Sequence, residues 1–418
     1  MRFDCVVVGA GLAGMTAGVR LAEGGRRTVV LSKGIGSLYL GGATIDVLGY
    51  SPELVESPAA ALPRFTEAHP EHPYARLAPG AIEKALAWLK SHLTLIGYAG
   101  GLDENLLLPT AVGAAKPSAV VPRSMASGDL RRGGNFLLVG FRTLKEFYPA
   151  YAADNLTRAR FAAVDASSVE LRASPRAEPE TGALAFARGF DDPEFRKSVV
   201  AELEGRVESG SAVGFPAVLG LREAPTVWAE IQDALGAPVF EVATLPPSVP
   251  GIRVFGALKD ALRRAGGRLI TNAEAVGCET AAGRVSALVV DTGDRKSSYA
   301  AHHFVLATGG VSAGGIVMDS RWRFAEPVFG LPVAAAPPPD RVRFLPEYFG
   351  DHPAAGVGVA TDDSLRPIDD DGNRVYDNLY VAGATLAGAQ PWREKSGNGL
   401  SLATGWAAAT AVLQEGGD

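Results

Sequence analysis

The chain has little of what metal and disulfide chemistry needs. Its 418 residues include two cysteines and six histidines. Cys5 and Cys278 lie far apart, each in a strand-like setting, and form no Cys-x-x-Cys pair. They predict neither a zinc ribbon nor the ligands of an iron–sulfur cluster, only two buried thiols in a reducing compartment. His69 and His72 stand among prolines with no accompanying ligand cluster, so they read as loop histidines and no metal site is expected. Positive charge is not in excess. Forty Lys and Arg face 46 Asp and Glu, a net charge of −6, which removes the electrostatic case for nucleic acid. No apolar run approaches the ~20 residues of a membrane span. The first strand follows directly on Met1, so no signal peptide is expected, and the reading is cytoplasmic.

What the sequence does have is glycine, 50 residues of it, with 28 prolines. The length suits two or three domains. The most informative stretch comes first. Phe3 to Val8 reads as a short β-branched run of the kind a buried parallel strand requires. It ends at Gly9, and Gly9, Gly11 and Gly14 stand in G-x-G-x-x-G spacing. Gly9 permits the turn out of the strand, Gly11 lets the backbone approach a pyrophosphate, and Gly14 lets the next helix pack closely. That helix, Leu12 to Glu23, offers the N–H groups of Leu12 and Ala13 and a positive dipole end to an anion. Gly24-Gly25 stops it, and Thr28–Leu31 completes a βαβ unit. An acidic residue normally follows the second strand to bind the adenosine ribose. Ser32 and Lys33 occupy that place, which points to FMN first and FAD as the alternative.

The next segment, Gly34 to Asp46, is placed to curl past a flavin. Gly41, Gly42 and Ala43 allow backbone approach there, and Thr44 supplies a hydroxyl. Residues 51–80 read as a connection leaving the first domain. Helices are predicted over 81–95, over 145–156 with a kink at Pro149, over 199–207 and over 254–265. Strands are predicted over 136–140, 213–221 and 238–243, while 171–188 shows no pattern. The prolines of Thr244–Arg253 predict an extended crossing back into the first domain. Strands 268–271, 274–279 and 285–290 then form a meander. A strand beginning at Phe304 ends in Ala307-Thr308-Gly309-Gly310. Short strands are expected over 357–361 and 364–367, and another over 378–384 ends at Gly383-Ala384. Ser396-Gly397-Asn398-Gly399 opens an Ala-rich helix whose first residues, Gly399, Leu400 and Ser401, face the pyrimidine end of a flavin. The expected fold is α/β: a Rossmann-like two-dinucleotide-binding-domain flavoprotein. Residues 1–75 and 245–418 form the flavin-binding domain, and 76–244 an inserted α/β cap.

The chain resembles the flavoproteins of the fumarate reductase and succinate dehydrogenase type. Within that group it is similar to the family of B subunits of anaerobic glycerol-3-phosphate dehydrogenase. The resemblance is carried by Arg2-Phe3-Asp4, the Gly9–Gly14 loop, His72-Pro73-Tyr74, Thr244–Arg253, Arg323 with Glu326-Pro327, Thr361-Asp362 and Leu365-Arg366-Pro367. It implies an FMN-binding subunit paired with an FAD-bearing A subunit and an iron–sulfur C subunit. The complex would lie on the inner face of the bacterial membrane and oxidise glycerol 3-phosphate to dihydroxyacetone phosphate for a quinone pool. The turn Ser396–Gly399 departs from that family's cysteine-containing glycine run and is closer to the wider group. Alcohol oxidation needs a base and a phosphate-holding cation. The candidate cations are Arg366, Arg253, Arg321 and Arg323, and the candidate bases are His352 and His303. Two other readings stay open: an electron-transfer or assembly subunit that binds no substrate, and a stand-alone FAD oxidoreductase of the fumarate-reductase kind.

Overall fold

A computed structural model describes residues 2–159, 163–338, 340–347 and 350–415. Its larger sheet has seven strands. Six follow the order Arg268–Ile270, Thr28–Leu31 (β2), Arg2–Val8 (β1), Lys296–Leu306, Arg284–Asp291, Glu274–Ala281, and the seventh, Leu379–Val381, pairs with the long strand Lys296–Leu306. β1 runs parallel to both neighbours, with Val6 opposite Val29 and Phe304. The helix Leu12–Glu23 (α1) is buried along nearly its whole length. One of its faces meets β2, where a Cβ at Gly18 would sit 2.5 Å from Val30. Its other face meets the C-terminal helix Gly397–Gln414, where a Cβ at Gly405 would lie 2.3 Å from the carbonyl oxygen of Ala13. These contacts are why small residues fill both helices. Ile82, Leu86, Leu89, Leu93 and Val120 also pack into this first core.

The smaller sheet is parallel throughout, in the order Val239–Val242, Ala212–Pro216, Gly134–Phe141, Val164–Leu171. It has its own core, built largely from Phe136, Phe141, Phe186, Phe190, Phe215 and Phe240. Several expected elements shift. Pro149 does not kink a helix but opens one, Pro149–Ala159, because proline lacks the N–H that a first turn leaves unpaired anyway. The crossing after Thr244 is short. Ser248 caps a helix at Gly251 N and the helix runs Val249–Arg264, so Pro250 and Arg253 are helical. The connection 51–80 contains the helix Pro58–Ala68, capped by Ser57. The patternless stretch holds the helix Ala183–Phe190, and the helix expected over 199–207 is Pro193–Leu203. The meander is Glu274–Ala281, Arg284–Asp291 and Lys296–Leu306, while Arg268–Ile270 joins β2 in parallel at the far edge. Residues 357–361 and 364–367 make isolated bridges and no named strand. Cys5 is fully buried and Cys278 only partly so. No helix among the described residues is long and apolar enough to cross a membrane.

A buried ion pair ties the two halves together. Arg253 donates to Glu241 at 2.8 Å, with the side chains 7 % and 1 % exposed, and to the Gly220 carbonyl at 2.9 Å. Glu241 also accepts from Leu219 N and Ser124 Oγ. Removing one member of such a pair leaves an uncompensated buried charge. Glu241→Ala is therefore expected to lower unfolding stability by roughly 3–5 kcal/mol, read as a lower guanidinium midpoint at unchanged slope.

Candidate functional site

The three glycines of the first turn differ in what holds them. Gly9 has φ +112°, and a Cβ there would sit 2.2 Å from the Ala307 carbonyl oxygen. A Cβ at Gly14 would sit 1.9 Å from the Gly9 oxygen. Both are glycine because the backbone leaves no room. Gly11 is another matter. Its φ of −72° and ψ of −176° suit any residue, and an added Cβ would meet nothing nearer than Ser37 Oγ at 3.6 Å. The protein itself does not need glycine there, so the open space in front of it fits a pyrophosphate. No side chain caps α1, and its first hydrogen bond is Met15 N to Gly11 O. The N–H groups of Leu12, Ala13 and Gly14 find no acceptor among the described residues, as an anion site at a helix start requires. Ser37 reaches this space because Gly36, at φ +73°, folds its backbone against Ala10. Sequence reasoning missed Ser37, although the glycine before it was the signal.

The other glycine turns converge here. A Cβ at Gly310 would strike the Ala384 carbonyl oxygen, and one at Gly383 would press on Ala13. Thr385 Oγ1 bonds both N and O of Gly309. Thr308 Oγ1 is buried without a partner at this junction. Ser32 is buried, and its backbone bonds Ile270 O and Ala273 N. Lys33 pairs with Glu274 at 2.8 Å, so the carboxylate absent from the end of β2 in sequence arrives there in space from another strand.

The segment Gly41–Thr44 meets the start of the C-terminal helix. Asn398 Nδ2 donates to Thr44 O at 2.7 Å and lies 4.0 Å from a Cβ built on Gly41. Gly42 abuts Ala243, and Ala43 takes φ +64° with its carbonyl held by Tyr98 OH. Thr44's hydroxyl is not open to a ligand. It donates to Asp46 and accepts from Lys116. Asp46, 8 % exposed, also accepts from Ser118 Oγ and Lys116 Nζ, and its carbonyl takes Gly399 N. Leu400 is fully buried, while Ser401 Oγ lies 3.7 Å from a Cβ built on Gly383. His72 is not a free loop histidine. It is buried, its Nδ1 accepts from Tyr74 N, and its Nε2 faces Glu394 at 3.3 Å. Burial alone would raise the Glu394 carboxyl, but the bonds from His72, Ser396 Oγ and Gln390 N hold it below its usual range.

The expected cations are engaged elsewhere. Arg253 is spent in the Glu241 pair. Arg366 donates to Tyr380 OH at 3.0 Å, stacks over that ring and pairs with Glu415. Glu415 follows the C-terminal helix, so Arg366 lies about 27 Å along that axis from the helix start. Arg321 and Arg323 stand around Asp319 on the surface. His352 Nδ1 accepts from Leu345 N at 2.9 Å, and its ring lies against Trp392. The Nδ1 lone pair is thus occupied by a backbone N–H. His303 belongs to the Arg366 cluster. Burial first, then Arg26, Arg284 and Arg366, push its pKa down to about 4.

Gly11→Val is expected to fold, with the circular dichroism of the flavin-stripped wild-type chain, yet purify without flavin. Yellow protein from that variant would sink the phosphate-loop reading. His303 stays neutral when folded but takes a proton near 6.5 when unfolded. Stability should thus fall as pH drops from about 6.5 toward about 4. His303→Gln should flatten the pH dependence of the urea midpoint over that window.

Comparison with known proteins gives the site its family. Residues 4–400 match the family described as FAD binding domain. The probable B subunit of anaerobic glycerol-3-phosphate dehydrogenase from Halobacterium salinarum is 36 % identical over 427 residues, covering 98 % of each chain. The B subunit of anaerobic glycerol-3-phosphate dehydrogenase from Pectobacterium atrosepticum is 32 % identical over 427 residues, covering 100 % of each. Among solved structures, the open conformation of a flavocytochrome c3 fumarate reductase aligns over 99 % of this chain and 78 % of its own, at 10 % identity and a TM-score of 0.47. The matching family is one of FAD binding, so FMN, the first expectation from the missing acid after β2, is without support and the FAD alternative stands. With this similarity running the full length of both relatives, the chain belongs to the FAD-binding-domain oxidoreductases and, within them, to the family of B subunits of anaerobic glycerol-3-phosphate dehydrogenase.

Proposed function

We propose that the chain is the flavin-holding B subunit of an anaerobic glycerol-3-phosphate dehydrogenase. It takes part in oxidising glycerol 3-phosphate to dihydroxyacetone phosphate and passes electrons toward a quinone pool. The observation that carries this reading is Gly11, a glycine that only a ligand requires, in a chain whose full-length relatives bear that enzyme's name. The cofactor is FAD, which when bound accepts the hydride of the alcohol carbon. The α1 N–H groups hold its pyrophosphate, with Ser37 as a hydroxyl partner. Glu274, set by Lys33, replaces the missing ribose acid. Asn398 fixes the Gly41–Thr44 backbone against the ring end. The second core, which but for Val249 lies within 76–244, acts as the cap. Electrons leave through an FAD-bearing A subunit and an iron–sulfur C subunit, and those partners bring the chain to the inner membrane face.

A second reading, an electron-transfer subunit without substrate, is favoured by the engagement of Arg253 and Arg366 in ion pairs. Anaerobic addition of glycerol 3-phosphate to the purified chain separates the two: bleaching of the flavin band supports the first, and no bleaching supports the second. Mass analysis of the released cofactor should find FAD, and FMN would overturn that assignment. Glu274→Gln should weaken FAD binding severalfold and leave FMN binding unchanged, because FMN has no adenosine for the carboxylate to hold. Equal loss for both flavins would remove Glu274 from the ribose.

A further inference from the structure

A cavity of about 340 Å³ opens where the two cores meet, a volume and a place typical of small-molecule sites. Its walls are apolar. Leu95 and Ile96 come from the loop after the helix Ala81–His92, and Pro225, Trp228 and Ala229 from the helix Ala224–Leu235. Hydrogen bonds hold these walls in place. Arg123 N donates to Gly97 O at 3.1 Å, which ties the loop down, and Trp228 Nε1 donates to Val239 O at 2.8 Å, which fixes the ring. Arg253 and Ser124 also line the space, but both are already bonded to Glu241, which balances the Arg253 charge. Arg123 is balanced by nothing. Its guanidinium lies 5.9 Å from the centre of the Trp228 ring and has no hydrogen-bond or ion-pair partner among the described residues. No carboxylate lines the cavity among those residues either. One free cation therefore stands over a fixed aromatic ring, beside Leu95, whose side chain is left in water at 81 % exposure.

We propose that this cavity binds a small carboxylic acid with a compact apolar body, an aromatic ring or a branched chain. The body lies against Pro225, Trp228 and Ala229 and covers Leu95. The carboxylate pairs with Arg123, whose planar fork matches it in two parallel bonds. A single free guanidinium balances a single negative charge, whereas a phosphate ester would bring about −1.5 to −2. Glycerol 3-phosphate, polar throughout and more highly charged, suits neither the walls nor the lone cation. The occupant is therefore not the substrate of the proposed dehydrogenase reaction, and none of the lining residues belongs to the glycine turns or to the cluster around Asp46.

The test is calorimetric titration of the full-length chain with benzoate, 3-phenylpropanoate, benzyl alcohol and sn-glycerol 3-phosphate. The two acids should bind and compete with each other. Benzyl alcohol should bind about tenfold more weakly or worse, since it forgoes the charge-assisted bonds. Glycerol 3-phosphate should not displace benzoate. Arg123→Gln, which costs the fold only the contact over Trp228, should weaken both acids by about tenfold or more and leave benzyl alcohol unchanged. Ala229→Phe fills the space and should abolish binding of all three aromatic compounds, with circular dichroism confirming that it folds. No binding of either acid to the wild-type chain, or binding that Ala229→Phe leaves unchanged, would overturn the site. Acid binding that Arg123→Gln does not weaken, or displacement of benzoate by glycerol 3-phosphate, would overturn the assignment of a carboxylate to Arg123.

Discussion

The structure depends on backbone packed directly on backbone where β1 ends. The carbonyl oxygens of Gly9 and Ala307 occupy the places where side chains at Gly14 and Gly9 would be. With no Cβ in the way, α1 lies close on the sheet and the long strand Lys296–Leu306 closes beside β1. The turn at Gly383 then seats against Ala13, and the C-terminal helix reaches α1 at Gly405. Each step needs the one before it, because a shift of even a methyl width at a close-packed junction propagates. The open start of α1 is thus a by-product of packing: the contacts that fix the helix aim its unpaired N–H groups into the open space at Gly11.

The cluster around Asp46 is built differently, from polar side chains. Asp46 gathers Thr44, Ser118 and Lys116, and its own carbonyl receives Gly399 N. Tyr74 OH bonds Val47 O, and His72 holds Glu394 two residues before Ser396. Segments far apart in the chain meet here: 41–50, 72–74, 116–118 and 390–400. A buried network of this kind fixes geometry more than it adds stability. Its carboxylates are already bonded, Asp46 to Lys116 and Glu394 to His72.

Arginine is placed on the opposite principle. Arg253 looks free in the sequence, with no acidic neighbour at helical spacing, while Arg366 stands among Asp362, Asp363, Asp369 and Asp370 yet pairs its guanidinium with Glu415 instead. Glu241 and Glu415 reach them only after the strands and the last helix are assembled. Both guanidinium groups then serve as rivets. The low dielectric around them makes an unpaired charge costly, so a partner is found for each.

The first βαβ unit could be read residue by residue. Strand, glycine turn, helix and second strand are each coded by neighbours in sequence, and α1 begins and ends where the pattern places it. The hairpin of Glu274–Ala281 and Arg284–Asp291, the turn at Thr308–Gly310 and the last helix were legible for the same reason, that alternation, glycine stops and an alanine-rich run are local signals, but the meander's third strand is Lys296–Leu306 and not Arg268–Ile270. The helix Pro58–Ala68 had such a signal too, Ser57 followed by Pro58, hidden under a composition that suggests a loop. What the sequence could not supply was anything made by long-range contact. The polar half of Lys296–Leu306 is a strand because its neighbours pair with it, not because its residues prefer one. Glu274 meets Lys33 across 241 positions, and Asn398 meets Thr44 across 354. Local propensity determined which segments form and where the first glycine turn stands; charge partners and the polar cluster around Asp46 were decided by the tertiary fold, because electrostatic neighbours are set by distance in space and not along the chain.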